Sequence, residues 1–381
     1  MINKLLIKLP TCLFFSLGLL ALPMSNGTLY AQEDSYYSPH VFFEYEANIW
    51  KIINEKLTFK AFSDHTAVQK KIGWFLKHPD ELHSLTYHAS PYIYYVVEQL
   101  KKRGMPSEIA LLPMIESGYN PMDSNSKDAV GLWQLRGSTA RGLGVHINSW
   151  YDGRRDVVAS THAALAYLQY LHDYFHNWLL AFAAYNAGIG TVMKAVAYNK
   201  AHNKPTDFWS LPLPAETKAY VPKLLALSTI LANPKQYKLK TYPVANQPYF
   251  TAVKTNVPIT LNHVAKLAEA NPKTIQNLNA GIKSPNAKPN TTYNILIPIA
   301  HISQFQKGIQ SHLATNTDEK QSQNTNGKHV ELAHRRSEHV TVSHKTRIAT
   351  KSSHAYQPTT KLASHSGLNF PVAHGMDFSN V

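Results

Sequence analysis

The sequence of 381 residues predicts a mainly α-helical protein with a small α+β segment towards its C-terminal end. Two patterns support this fold class. Apolar residues recur at helical spacing between about residues 40 and 235, and residues 249–300 read strand, helix, turn, helix, loop, strand. Beyond residue 314 large apolar residues become scarce while Ser, Thr, Asn, Lys and His accumulate, so residues 314–381 are predicted to be a disordered, basic and His-rich tail.

The first 31 residues have the organisation of a secretory signal peptide. Lys4 and Lys8 precede an apolar run from Cys12 to Leu22, and a cut is predicted after Ala31. The run is too short for an ordinary membrane-spanning helix, so we expect a soluble periplasmic protein, with an uncleaved anchor as the alternative. Cys12 is the only cysteine, and because it stands at the start of the run and not just after it, no lipid anchor is expected there. The mature chain is therefore expected to lack disulfides and thiolate metal ligands.

Residues 32–105 are predicted to form a helical N-terminal extension. The stretch FEYEANIWKIINEKL places apolar residues at helical spacing, and a later helix is predicted with Pro91 in its first turn. The apolar positions of these helices are expected in the core: Phe43, Ile49, Trp50, Ile53, Leu57, Ile93, Val96, Val97 and Leu100.

Glu116 ends a strongly apolar stretch, PSEIALLPMIE, which predicts a helix from Pro106 to a stop near Gly118. That arrangement leaves one carboxyl group on an apolar surface, where desolvation disfavours the charged form and raises the pKa. A carboxylic acid that stays protonated near neutral pH can protonate a leaving group. Because a Glu at a helix end usually faces water, the assignment of Glu116 depends on further motifs.

Three downstream motifs accompany ESGYNP at 116–121, namely AVGLWQL at 129–135, AAYNAGIGTVMKAV at 183–196 and LPAETKAYVPKLLAL at 213–227. As a set they resemble the signatures of the lysozyme-like lytic transglycosylases. The stretches YDGRRDVVASTHAALAYL and TDFWSLPLPAETKAYVPK resemble the membrane-bound lytic murein transglycosylase D family in particular. The resemblance covers roughly residues 40–310 and implies a lysozyme-like catalytic domain, which we place at residues 106–242.

The resemblance also implies a reaction and a set of site residues. The substrate would be the β-1,4 bond between N-acetylmuramic acid and N-acetylglucosamine in peptidoglycan, with Glu116 as the single general acid and base and a 1,6-anhydromuramyl product. No cofactor and no metal are expected. The residues expected to hold the glycan or to orient Glu116 are Ser117, Gln134, Tyr185, Asn186 and Tyr220.

Two alternatives remain open at this point. A muramidase on the same fold would add water and use Asp123 or Asp128 as its base, since ordinary glycosidases use two carboxylates. A peptidoglycan-binding protein with an idle active site is the alternative outside the enzymes. Trp133 fits either stacking on a sugar or core packing, because its neighbours are apolar.

A dense group of charges at 152–156 is interpreted as a structural ion-pair network rather than as a site. It contains Asp152, Arg154, Arg155 and Asp156, and the last of these is predicted to cap the helix that follows.

The formal charge of +14 indicates an anionic partner. An exported protein rarely meets nucleic acid and no recognition motif for it is visible, so we expect peptidoglycan strands as the partner, association with the cell envelope and a monomer.

Residues 249–313 resemble a LysM-type glycan-binding module, although Asn256, Val257 and Pro258 replace its usual Gly-Asp opening. Glycan binding and a purely structural role both remain open for this segment. In the tail, His329, His334, His339 and His344 recur every five residues, a spacing that forms no compact metal site on a helix.

Overall fold

A computed structural model describes residues 48–126, 128–255, 260–283 and 293–311 of the protein. The predictions for the signal peptide, Cys12, the LysM opening at 256–258 and the His-rich tail lie outside these residues. The described chain is mainly helical with two small antiparallel sheets, which confirms the predicted fold class. Within these residues no helix has both the length and the apolar character needed to cross a bilayer.

Four helices precede the Glu116 segment: α1 (Ile49–Glu55), α2 (Thr66–Lys77), α3 (Pro79–Ala89) and α4 (Ile93–Arg103). Their starts follow ordinary capping rules, since the Asn48 side chain accepts from Trp50 N and the His65 ring accepts from Ala67 N. Helix α4 ends at Gly104, whose φ of 63° is a left-handed conformation that suits glycine. Pro91 lies just before α4 rather than in its first turn, because Tyr92 takes the capping position and the helix begins at Ile93.

The predicted helix from Pro106 forms in two pieces. A 3-10 segment, Ser107–Leu111, is followed by the short helix α5 (Leu112–Glu116). Pro113 explains the division, since it has no N–H to donate back along a helix that had begun at Ser107 and is tolerated only in a first turn. Gly118, with a φ of 61°, follows the end of α5 as predicted.

The core of the Glu116 region is built by four further helices: α7 (Val157–Phe175), α8 (Trp178–Ala187), α9 (Ile189–Ala201) and α10 (Ala215–Ala232). Asp156 caps α7 through hydrogen bonds of 2.8 Å from the N–H groups of Val158 and Ala159, as predicted. Helix α8 is buried along most of its length and stops at Gly188, where φ is 85°. Helix α10 packs against α2, α8 and α5, so it brings the motif at 213–227 to the end of α5.

A short hairpin lies beside these helices. Strand β1 (Ala129–Val130) pairs with β2 (Leu135–Arg136), and helix α6 (Gly137–Gly142) follows directly. Gly131, in the turn of the hairpin, lies so close to the Arg154 carbonyl that a Cβ would come within 2.1 Å of its oxygen. Only glycine allows the hairpin this approach to the 152–156 segment.

The C-terminal segment forms a small α+β unit. Strand β3 (Phe250–Thr255) pairs with β4 (Tyr293–Pro298), and helices α11 (Leu261–Leu267) and α12 (Pro272–Leu278) cover the sheet. Its own core is formed by Val264, Ala265, Ala268, Ile275, Ile295, Ile297 and Phe305. Residues 281–283 continue past α12 and run along residues 148–152, with Asp152 N donating to Gly281 O and Lys283 N donating to Trp150 O, both at 2.8 Å.

Candidate active site

Glu116 is the last residue of α5 and is half-buried. The preceding turn is anchored in the core, since Leu112, Pro113 and Met114 are buried. The Tyr220 hydroxyl, on α10, donates to Glu116 Oε1 at 2.5 Å. Two segments 104 residues apart in sequence therefore meet at one carboxyl group.

Burial raises the pKa of Glu116 to about 7. The hydrogen bond from Tyr220 and the charge of Lys223 act in the opposite direction, whereas the charge of Glu216 raises the pKa further. The carboxyl group is consequently divided between its two protonation states near neutral pH. Such a group can give up a proton and take one back without a large free-energy difference between the two forms.

Tyr185 and Asn186 lie at the C-terminal end of α8, and Tyr185 is close enough to Glu116 to interact with it electrostatically. Burial and then the charge of Glu116 raise the pKa of Tyr185, so the phenol stays protonated, and its hydroxyl donates to Trp133 O at 2.8 Å. Asn186 Oδ1 accepts from the Thr217 hydroxyl at 2.8 Å, which ties α8 to the start of α10. The structure therefore brings Tyr185 and Tyr220 together with Glu116, and it places Asn186 one residue further along α8.

For Ser117, which is expected to orient the Glu116 carboxylate, the structure shows hydrogen bonds to backbone groups. The hydroxyl of Ser117 has one hydrogen, and it points to Leu132 O at 2.9 Å, with a longer contact of 3.4 Å to Pro113 O. The same oxygen accepts from Asn120 N at 3.2 Å. Ser117 thus connects the end of α5, where Glu116 lies, to the hairpin.

Gln134 occupies the turn of the hairpin in a left-handed conformation, with a φ of 47°. Its Nε2 donates to Gly131 O at 3.0 Å, which holds the half-buried side chain across its own turn. Trp133 next to it is fully buried and its Nε1 donates to the Thr161 hydroxyl at 3.0 Å. Trp133 is therefore a core residue and offers no face to a sugar.

Of the four charges at 152–156, Asp152 and Arg154 form a structural ion-pair network, and Asp128 is its third member. The Arg154 guanidinium binds both carboxylate oxygens of Asp152, through Nε at 2.9 Å and Nη2 at 2.8 Å. Its Nη1 donates to the carbonyl and the carboxylate of Asp128, each at 2.9 Å. Asp128 in turn accepts from Gly137 N at 3.0 Å, so Arg154 holds both ends of the hairpin.

The two candidate second carboxylates differ in their surroundings. Asp128 belongs to the Arg154 network, whose hydrogen bond holds its pKa below the ordinary value. Asp123 is half-buried, and its backbone carbonyl accepts from Gly131 N at 2.9 Å. The acidic side chain that acts electrostatically on Glu116 is instead Glu216, which is exposed in the first turn of α10.

Sequence reasoning missed three residues around Glu116. Glu216 and Lys223 change its pKa, and Thr217 holds Asn186. A signal was available, because Glu216, Tyr220 and Lys223 follow one another at spacings of four and three and so share one face of a helix. In the part of the chain that the structure describes, no group of three or more His, Cys, Asp or Glu side chains could hold a metal ion.

Comparison with known proteins places two family matches on the chain. Residues 94–208 match the transglycosylase SLT domain, and residues 249–311 match the LysM-like domain of lytic transglycosylase MltD. The first match confirms the predicted lysozyme-like transglycosylase fold.

The chain is 39% identical over 267 residues to the membrane-bound lytic murein transglycosylase D of Escherichia coli K12, covering 70% of this chain and 59% of that protein. It therefore spans less than two thirds of that relative's length. It is 37% identical over 177 residues to a putative tributyltin chloride resistance protein of Alteromonas sp. strain M-1, covering 46% of this chain and 83% of that protein. Among solved structures, an inactive mutant of the lytic transglycosylase Slt from Pseudomonas aeruginosa matches with 26% identity and a TM-score of 0.30, covering 39% of this chain and 25% of that chain.

Proposed function

Because the chain belongs to the transglycosylase SLT domain family and carries an MltD LysM-like domain, we propose that it is a peptidoglycan lytic transglycosylase. The reaction is cleavage of the β-1,4 bond between N-acetylmuramic acid and N-acetylglucosamine, with formation of 1,6-anhydromuramyl ends. The site of action is the cell envelope, in the periplasm, and the protein acts as a monomer without a cofactor. The observation that carries this proposal is the half-buried carboxyl group of Glu116, which accepts a hydrogen bond from Tyr220 and whose pKa is raised to about 7 by burial.

In the first step Glu116 acts as a general acid. Its protonated carboxyl group transfers the proton to the glycosidic oxygen as the bond from that oxygen to the muramyl C1 breaks. The carbonyl oxygen of the substrate's own N-acetyl group stabilises the positive charge that develops at C1. Glu116 is left as a carboxylate, which the Tyr220 hydroxyl stabilises by its hydrogen bond.

In the second step the same carboxylate acts as a general base. It removes the proton from the muramyl C6 hydroxyl as O6 forms a bond to C1, and the ring closes to the 1,6-anhydro sugar. The proton returns to Glu116, so the enzyme is restored without consumption of water. One residue performs both transfers, which requires a pKa near the working pH and a glycan held in register.

The remaining site residues hold the glycan in the position that both proton transfers require. We expect Tyr185, Asn186 and Gln134 to contact the glycan near Glu116, and the charge of Glu116 already acts on Tyr185. Ser117 and Arg154 hold the hairpin that carries Gln134, so they act on the substrate through the position of that turn.

The first test is the Glu116→Gln substitution, assayed by the release of soluble fragments from purified sacculi. The amide keeps the shape of the side chain but neither supplies nor accepts the proton. Loss of general acid–base catalysis costs about 10²–10⁴-fold, and we expect the upper end because one residue performs both steps. The fold should survive, since a neutral side chain suits a position that disfavours charge. Retention of more than about a tenth of the wild-type rate would contradict the assignment.

A further inference from the structure

A groove of about 550 Å³ lies between helix α9 and the segment that leads into α10. Its volume is within the range of about 300–1,000 Å³ that is usual for ligand clefts. One wall is a face of α9, whose lining residues follow one another at spacings of three and four. The residues of the two walls are Thr191, Lys194, Ala195 and Tyr198 on α9, and Pro212, Leu213 and Pro214 opposite.

The groove begins next to the residues around Glu116. The Thr217 hydroxyl donates to Asn186 Oδ1 at 2.8 Å, and this contact ties the end of α8, and with it the start of α9, to the first turn of α10. Pro214 caps α10 six residues before Tyr220, whose hydroxyl donates to Glu116. Six residues of helix span about 9 Å. A substituent on a sugar bound at Glu116 is therefore within reach of the groove.

The shape of the groove is held by a buried residue of α9. Asn199 is 1% exposed, and its Nδ2 donates to Pro205 O at 2.6 Å and to Ser210 O at 3.0 Å. These bonds fix the loop that leads to the opposite wall. That wall offers few backbone donors, because two of its three residues are prolines and Leu213 N donates to Leu211 O at 2.9 Å. It therefore presents mainly apolar surface to a ligand.

The charge of the groove comes from one exposed lysine. Among the lining residues Lys194 is the only cation, and none of them is acidic. Asp207, in the loop before the second wall, has its carboxylate engaged with Trp209 N and with the N–H and hydroxyl of Ser210. The groove thus combines apolar walls with a single positive charge, an arrangement that suits a ligand with small apolar groups and a carboxylate.

We propose that this groove binds the stem peptide of the muramyl residue at the bond that Glu116 cleaves, an inference that rests on the proposed function. The stem peptide hangs from the lactyl group of that sugar, and three of its residues extend about 10 Å. The sugar rings of the glycan are uncharged, whereas the stem peptide carries carboxylates that pair with Lys194. The methyl groups of its alanines pack on the rings of Pro212 and Pro214.

An acidic segment of the same chain is the other source of carboxylates. Residues 32–47 contain four acidic residues and no Lys or Arg. They lead into α1, which packs against the opposite end of α10, where Asn54 Nδ2 donates to Ala232 O at 2.7 Å. That end lies about 25 Å along the helix from Pro214. The continuity of the groove with the surroundings of Glu116 therefore favours the substrate as its occupant.

The first measurement compares two substrates: uncross-linked glycan strands that carry tripeptide stems, and the same strands after an amidase has removed the stems. In Lys194→Gln the ratio of kcat/KM for the two substrates should fall about ten-fold, because a charge-assisted hydrogen bond to the stem is lost. Lys194→Arg should restore most of the ratio, since it keeps the charge. Lys200→Gln is the matched control: Lys200 is exposed on α9 but does not line the groove, so the ratio should change less than about two-fold.

The second measurement does not depend on catalysis and so separates this proposal from the proposed function. Fluorescence anisotropy of the full chain with a labelled muramyl tripeptide should show binding that Lys194→Gln weakens about ten-fold and Glu116→Gln retains. The same ligand with amidated carboxylates should bind about ten-fold more weakly to the wild type.

The outcomes of the two measurements are distinct. Absence of binding, or equal binding of the amidated ligand, would overturn the proposal. So would an unchanged affinity and ratio in Lys194→Gln, the result expected if residues 32–47 filled the groove. A wild type that binds the muramyl tripeptide through Lys194 but cleaves neither substrate would contradict the proposed function and support the peptide site.

Discussion

At the scale of single residues, the environment of Glu116 sets the pH range in which the protein works. The proposed mechanism begins with the protonated carboxyl group, and burial raises its pKa to about 7. The rate should therefore be constant below this pKa and fall ten-fold per pH unit above it. Initial rates on a soluble glycan fragment between pH 5 and 9 provide the measurement. A flat profile through pH 8 would contradict the role of Glu116 as the acid.

Tyr220→Phe should move that alkaline limit upwards. The hydrogen bond from the Tyr220 hydroxyl stabilises the carboxylate and lowers the pKa of Glu116, so its loss raises the pKa. A shift of about one pH unit corresponds to the loss of one charge-assisted hydrogen bond. Glu216→Gln should shift the limit the other way, because it removes a negative charge that raises the pKa. If both variants moved the limit in the same direction, the proposed electrostatics of the site would be wrong.

The burial of Glu116 could be predicted from the sequence, but its contacts with other segments could not. The apolar run before Glu116 indicates a desolvated carboxyl group, and the structure places Leu112 and Met114 in the core. The contact between Glu116 and Tyr220 joins positions 104 residues apart, so no local sequence pattern could predict it. Its prediction rested on the resemblance to a known family. The hydrogen bond from Ser117 to Leu132 O could not be predicted either, because it reaches a backbone carbonyl on a hairpin 15 residues further along the chain.

At the scale of elements, the position of the hairpin depends on Arg154. This side chain is only 9% exposed and binds Asp152 and Asp128 at once. Burial acts to raise the pKa of Asp152, but the hydrogen bonds from Arg154 outweigh it and hold the pKa below its ordinary value. Asp152 therefore stays ionised in the interior because Arg154 is present.

Arg154→Gln should lower the free energy of unfolding by about 3–5 kcal/mol, because it leaves the Asp152 charge buried without its partner. Urea unfolding followed by tryptophan fluorescence measures this change. Arg155→Gln is the matched control, since Arg155 donates from Nη1 to Pro121 O at 3.2 Å in a half-buried position, and about 1 kcal/mol is expected. Equal effects of the two substitutions would show that the network does not hold the hairpin.

Element boundaries were predictable where a single residue decides them. Asp156 and Gly188 mark the start of α7 and the end of α8 in the sequence, and the structure confirms both. The division of the Pro106 helix was missed because the apolar pattern continues through Pro113, while the missing N–H of that residue interrupts the hydrogen bonds.

At the scale of the whole molecule, the C-terminal unit is joined to the segment that carries Arg154. Gly281 lies against this segment, and an added Cβ would come within 3.0 Å of carbons of Tyr151 and Asp156. The sequence indicated a LysM-like unit but could not predict this junction, since it joins two regions about 130 residues apart with no shared motif. A shift of residues 281–283 should therefore change the position of the hairpin, because Asp152 and Arg154 connect the two segments.

Gly281→Ala should destabilise the protein by about 1–3 kcal/mol, because the methyl group overfills a packed contact. Gly73→Ala makes the same chemical change inside α2, where nothing lies within 4 Å of the added atom, and should stabilise by about 0.5–1 kcal/mol. Thermal unfolding of the two variants and the wild type measures both signs. A neutral Gly281→Ala substitution would indicate that the two regions are joined only loosely.

In the proposed mechanism Glu116 alone performs both proton transfers and no water enters the product. Mass spectrometry of the fragments released from purified sacculi distinguishes this mechanism from hydrolysis. We expect 1,6-anhydromuramyl ends from the wild type, from Asp123→Asn and from Glu216→Gln, because neither Asp123 nor Glu216 serves as a second base. Reducing muramyl ends from the wild type, or the loss of all product in either variant with the fold intact, would contradict it.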